Sequence, residues 1–157
     1  MTIEFIGDWP SDLKAPVERV VETLHAQSEL KLPADGSINL KLVDDDEIEA
    51  LNKQYNGTAY ATDVLTFHYA EHDRPEEVPV GELTIADVVI NTDMAAKQAE
   101  GAGTSLSDEV ALLALHGVLH SLGLDHGSDS EAAYMDQLQQ TVLERSHITY
   151  RDFQWTH

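Results

Sequence analysis

Glu82-Leu83-Thr84-Ile85-Ala86-Asp87-Val88-Val89-Ile90 is the stretch on which the fold turns. It reads as a strand whose second half is apolar almost throughout, the pattern of a strand covered on both faces and central in its sheet. Moving outward towards the N-terminus, Val64-Leu65-Thr66-Phe67 reads as a short strand. Ile38, Leu40 and Leu42 alternate with Asn39 and Lys41 at the period of a half-buried one. Ser11 to about Gln27 carries Leu13, Val17, Val20, Val21 and Leu24 at helical spacing, with Ser11 as the expected N-cap. Asp44 with Glu47 forms a capping box for a short helix bearing Ile48, Leu51 and Tyr55. Residues 70 to 81 combine prolines, a glycine and charges, and read as a surface loop.

On the C-terminal side the pattern changes to helices. One is expected near Thr92 to Glu100, and a longer one from about Ser105 to Leu122, with Gly123 placed to end it in a left-handed conformation. Ser128 and Glu131 make a second capping box, opening a last helix with Met135, Leu138 and Val142 inward. Strands cluster early and helices late, which predicts an α+β fold. At 157 residues and 42% apolar, the chain suits one domain over 1–157 with a real core.

Charge restricts function. With 29 acidic against 9 basic residues the net charge is −20, so binding phosphate through a broad basic patch is excluded. There is no cysteine, which removes disulfides, thiolate metal sites and cysteine nucleophiles. The start shows no basic n-region or apolar h-region, and the longest apolar run, Val110 to Leu115, is far shorter than the ~20 residues a bilayer needs. A cytoplasmic protein without membrane or DNA partners is expected.

The chemistry sits in His116-Gly117-Val118-Leu119-His120-Ser121-Leu122-Gly123-Leu124-Asp125-His126. Residues four apart on a helix differ by roughly 40° around the axis, so His116 and His120 share a face. Gly123 lets the chain reverse, which can return His126 to the same ion as a third ligand. Three imidazoles with an open position is how catalytic zinc is commonly held. Asp125 is placed to orient a ligand or to cap the following turn. His25, His68, His72, His147 and His157 lack matching spacing and read as surface or partly packed residues.

The ligand spacing also coincides with the metzincin pattern H-E-x-x-H-x-x-G-x-x-H, giving a zincin-like metal-binding helix. Gly117, however, stands where that pattern has its glutamate base. Met135, at helical spacing from Leu138 and Val142, reads as a core residue and not as a Met-turn.

His116 to His126 resembles H-G-x-L-H-x-x-G-[hydrophobic/Tyr]-D-H, the signature of the YbeY family of metal-dependent endoribonucleases. Leu51-Asn52 with Tyr55, then Thr62-Asp63-Val64-Leu65-Thr66-Phe67, resemble that family's L-N-x-x-[Y/aromatic] and T-D-V-L-S-F blocks. Gly81-Glu82-Leu83-Thr84-Ile85 resembles its G-D-I-x-I strand. The resemblance implies an α+β fold with a mixed four-stranded sheet and about five helices. It implies one zinc-like divalent ion on His116, His120 and His126, and hydrolysis of single-stranded RNA in ribosomal RNA maturation and quality control. The partners it implies are single-stranded rRNA and the ribosomal small subunit or its proteins. It also gives Thr62 and Asp63 a site-lining role beside their turn-forming one.

Two departures stand out. Asn56 occupies the position where family members carry an arginine that contacts RNA, and Leu124 replaces a common tyrosine. Between Gln54 and Glu144 the only lysine or arginine residues are Arg74 and Lys97. Asparagine cannot supply the bidentate phosphate contact of arginine. RNA engagement is then expected to lean on a partner or on high cation concentration, unless the acidic surplus is a salt-adapted surface. Three functions stay open at this point: an endoribonuclease, a zinc metallopeptidase, and a ribosome-associated factor with a structural metal.

Overall fold

In the computed structural model, the described residues are 1–57, 60–69, 83–124 and 127–151. The expected loop over 70–81, Glu82, Asp125 and His126 lie outside them. The elements run β1 (Thr2–Ile6), α1 (Ser11–His25), β2 (Ser37–Val43), α2 (Asp45–Asn56), β3 (Val64–His68), β4 (Thr84–Asn91), α3 (Thr92–Ala102), α4 (Leu106–Ser121) and α5 (Asp129–Arg145). The sheet order is β1-β2-β4-β3. β1, β2 and β4 are mutually parallel, whereas β3 runs antiparallel to β4 along one edge. The α+β class and the mixed sheet are as the sequence implied.

The central place of β4 follows from its burial. Ala86, Val88 and Ile90 are fully buried against the helical layer, and Val89 is buried on the opposite face. The edge strand β1 carries only an exposed and half-buried alternation, TIEFI, too short and too polar to announce itself. It nonetheless pairs in register with β2 from Thr2 opposite Ser37 to Ile6 opposite Lys41.

α4 is the hub of the helical layer. Val110 to Leu115, Val118 and Leu119 are buried with Val17, Val20 and Leu24 of α1, Met135, Leu138 and Val142 of α5, and the inner face of the sheet. A helix apolar nearly all round must be covered on nearly every side, and from Glu109 to Ser121 this one is, apart from His116 and His120. Each of its buried leucines contributes about 1.5–3 kcal/mol through transfer from water. Met135 is a core residue, in keeping with its spacing.

Caps follow the sequence signals with one correction. Asp44 accepts from the Glu47 N–H, Ser105 from Asp108 and Ser128 from Glu131. The N-cap of α1 is Pro10, not Ser11. Its extended backbone (φ −54°, ψ 139°) starts the helix and its carbonyl accepts from Leu13 and Lys14, without any side-chain cap. At the β4–α3 junction the buried Asn91 accepts from the N–H groups of Asp93 and Met94. It donates to Asp45 Oδ1 (2.7 Å) and to the Thr62 carbonyl (3.0 Å), tying α2, α3 and the entry to β3 together.

Candidate metal-binding site

From Glu109 to Ser121 every residue of α4 is buried except His116 and His120. The helix therefore opens to its surroundings only where the two imidazoles stand one turn apart. This is the juxtaposition that the i, i+4 spacing demands. The helix then ends at once. Gly123 takes φ +88°, and the Gly123 and Leu124 N–H groups return to the carbonyls of His120 and Leu119. A left-handed residue here reverses the chain directly after His120, and glycine accepts that conformation at least cost. His126 and Asp125, beyond the reversal, lie outside the described residues.

What faces the two histidines is β3. The His68 ring stands edge-on to that of His120, with centroids 5.0 Å apart and planes at 69°. Sequence spacing gave no reason to single out His68, because the contact joins residues 52 positions apart through tertiary packing. The strand's alternation explains it in retrospect. Val64, Thr66 and His68 share the face turned to α4, while Leu65, Phe67 and Tyr69 take the other.

Thr62 and Asp63 are engaged elsewhere. Asp63 accepts from Gln98 Nε2 (3.3 Å) and lies 3.9 Å from Arg151 Nη2, while its carbonyl accepts from the Asn91 N–H. They stand at the opposite end of β3 from His68, roughly 16 Å away at the rise of a strand. Arg151 also holds the buried Glu109 through two hydrogen bonds, 2.6 and 3.1 Å long. Burial raises the Glu109 carboxyl above its ordinary range, and Arg151 opposes that shift. Asn56 closes α2, donating to Asn52 Oδ1 (2.8 Å).

Gly117 has a packing reason. A Cβ there would overlap Val88 Cγ1 and come within 3.1 Å of Cγ2. α4 lies so close to β4 at this point that only hydrogen fits, and a glutamate base of the metzincin kind would drive into the sheet. The peptidase alternative loses its structural footing here.

Among the described residues, no three His, Cys, Asp or Glu side chains form a group able to hold a metal. The described pair fits a divalent cation as part of a set. Imidazole is a suitable donor, the two side chains share a face, and from Glu109 to Ser121 they are the residues that are half-buried where the rest are buried.

Comparison with known proteins gives the family and the fold. The family described as Endoribonuclease YbeY matches residues 8–147. The chain belongs to that family. The Endoribonuclease YbeY of Bacillus licheniformis is 34% identical over 143 residues, covering 88% of this chain and 89% of that protein. The Endoribonuclease YbeY of Pelotomaculum thermopropionicum is 42% identical over 130 residues, covering 81% and 85%. The solution structure of TM1509 from Thermotoga maritima superposes with a TM-score of 0.63 at 25% identity, covering 92% of this chain and 88% of that one. Membership in the YbeY family and the fold thus come from independent comparisons. No helix among the described residues is long and apolar enough to cross a membrane.

Proposed function

We propose that this chain is a metal-dependent endoribonuclease that cuts single-stranded RNA, acting in the cytoplasm in ribosomal RNA processing and quality control. Family membership over most of the chain supports the activity. The observation that carries the site is that His116 and His120 alone are only half-buried on the otherwise buried stretch of helix from Glu109 to Ser121. In this reading residues 1–157 form one YbeY-like domain on a zincin-like helix. His116, His120 and His126 hold one divalent ion, zinc by donor chemistry. When bound, such an ion supplies a Lewis acid for a phosphate oxygen and a water of lowered pKa.

The chain's own residues do the rest. α4 fixes two imidazoles at the spacing of one turn. Gly117 allows that helix to sit hard against β4, and Gly123 reverses the chain so that His126 can return. Asp125, next to that third ligand in sequence, is the candidate to orient a ligand or to cap the following turn. The substrate is single-stranded rRNA, with the ribosomal small subunit or its proteins as partner. A chain at −20 gains most from a partner that neutralises phosphate for it. Neither a membrane nor DNA belongs to this reading.

The test is cleavage of a single-stranded RNA by the metal-loaded protein, with casein as the alternative substrate and His120→Ala as control. RNA cleavage abolished in the variant, with loss of stoichiometric metal, is the expected result. Undiminished zinc in His120→Ala, or casein hydrolysis without RNA cleavage, overturns the reading.

A further inference from the structure

Among the described residues, the face of the sheet turned away from α4 is covered only in part. α2 packs Ile48 and Leu51 over Val43, Val89, Leu65 and Phe67, and leaves the rest open. There a groove of about 730 Å³ runs across the strands, within the range of about 300–1,000 Å³ usual for ligand sites. Its walls include Tyr55, Phe67 and Tyr69, with Asn39, Lys41 and Asp87 on its floor. Tyr55 and Tyr69 are 61% and 49% exposed, although they are among the largest apolar surfaces the chain has to bury. The Tyr55 ring stands 5.0 Å from that of Phe67, tilted by 60°. Asp87 is fixed by Asn39 Nδ2 (2.9 Å) and the Tyr69 hydroxyl (2.5 Å), so the floor presents hydrogen-bonding groups in set positions.

The geometry points to an unpaired nucleobase of a single-stranded RNA as the occupant of this groove, stacked on Tyr55 and read by the Asn39–Asp87–Tyr69 set. Charge decides between the parts of a nucleotide. Lys41 and Asp87 cancel, so on a chain at −20 the groove is locally neutral. It suits a flat, uncharged group with a polar rim, and among the described lining residues it offers a phosphate one lysine and no arginine. Aromatic platforms take any base through its π-face, whatever the overall charge. Continuity decides where the strand leads. His68 lines the groove and also packs edge-on against His120, so a nucleotide held here is a neighbour of the histidine pair. Because β3 is an edge strand, a single strand can pass over it from one face of the sheet to the other.

This inference rests on the ribonuclease reading for its choice of RNA, and the experiment separates the two. The full chain is titrated by fluorescence anisotropy with a non-cleavable 2′-O-methyl oligouridine and with an abasic ribose-phosphate strand of equal length. The parent is expected to bind the base-bearing strand about tenfold or more tightly than the abasic one. Tyr55→Ala should abolish that preference and Tyr55→Phe should keep it, with metal content unchanged in both and a cooperative melting transition showing that both still fold. A parent that binds both strands alike, or a Tyr55→Ala variant that keeps the preference, overturns the groove assignment and leaves the groove to some other partner. Base-preferring binding without any RNA cleavage would overturn the enzymatic reading alone. His120-dependent cleavage with full affinity in Tyr55→Ala would overturn the groove alone.

Discussion

Gly117 of α4 and Val88 of β4 approach so closely that no side chain fits between helix and strand at that level of the sheet. Alanine in place of glycine normally gains about 1 kcal/mol inside a helix. Here the overlap with a β-branched residue in the core costs about 1–3 kcal/mol. The second effect wins because Val88 is fully buried and cannot rotate into open space. Gly117→Ala is therefore expected to destabilise the chain, and Val88→Ala should relieve it. In a double-mutant cycle by urea denaturation the coupling should be at least about 0.5 kcal/mol in favour of the pair. Strict additivity would show that α4 can shift to make room.

Glu109 and Arg151 give a second prediction. Removing Arg151 leaves a buried carboxylate uncompensated, which costs about 3–5 kcal/mol in enclosed pairs. With Arg151 24% exposed, Arg151→Met should fall near the lower end. The pH dependence follows from the raised pKa of Glu109. Above its ordinary value the folded state holds a proton that the unfolded state has released, so this group's contribution declines as pH rises from 4.5 through the raised value. Denaturation midpoints between pH 4 and 8 should show that decline, and Glu109→Gln should flatten it. In Arg151→Met the decline should extend to higher pH, because Arg151 lowers the Glu109 pKa.

The His68–His120 contact predicts graded metal affinity. His120→Ala removes a proposed ligand and should abolish tight zinc binding. His68→Ala removes only the ring that packs against it, and should weaken binding by about tenfold, the scale of losing a ligand's supporting partner. Competition against a chromophoric chelator reads both. Equal losses would promote His68 to a direct ligand, while no loss in His68→Ala would deny it any supporting role.

Salt provides the fourth. For single strands log affinity falls with log salt by about 0.7 per phosphate neutralised. With Lys41 as the lysine lining the groove, the slope for the 2′-O-methyl strand should not exceed about 2 in magnitude. A slope several times steeper would reveal phosphate contacts elsewhere on the surface.

What could be read from the chain follows from where the determining interactions lie. The caps at Asp44 and Ser128, the end at Gly123 and the shared face of His116 and His120 are all local, joining residues at most four apart, and were legible; the cap at Ser105 was read only as the start of its helix. β4 was legible because its apolar run has no competing reading. β1 was not, since an edge strand with one half-covered face carries little hydrophobic signal. Asn91 and His68 owe their roles to partners far away in sequence: Asn91 bonds to Asp45 and Thr62, and His68 meets His120. No periodicity encodes such pairings. Gly117 could be seen as an absent glutamate, but the reason for its absence required Val88.

α4 is embedded on nearly every side and shows its two imidazoles only at one opening. The part of the proposed ion site that α4 supplies is therefore set by hydrophobic burial of the helix. In small zinc modules most of the metal's affinity is consumed in ordering the chain. Here buried apolar contacts hold the helix, so, if the proposed site binds its ion, chelation should leave a cooperative, native-like apoprotein.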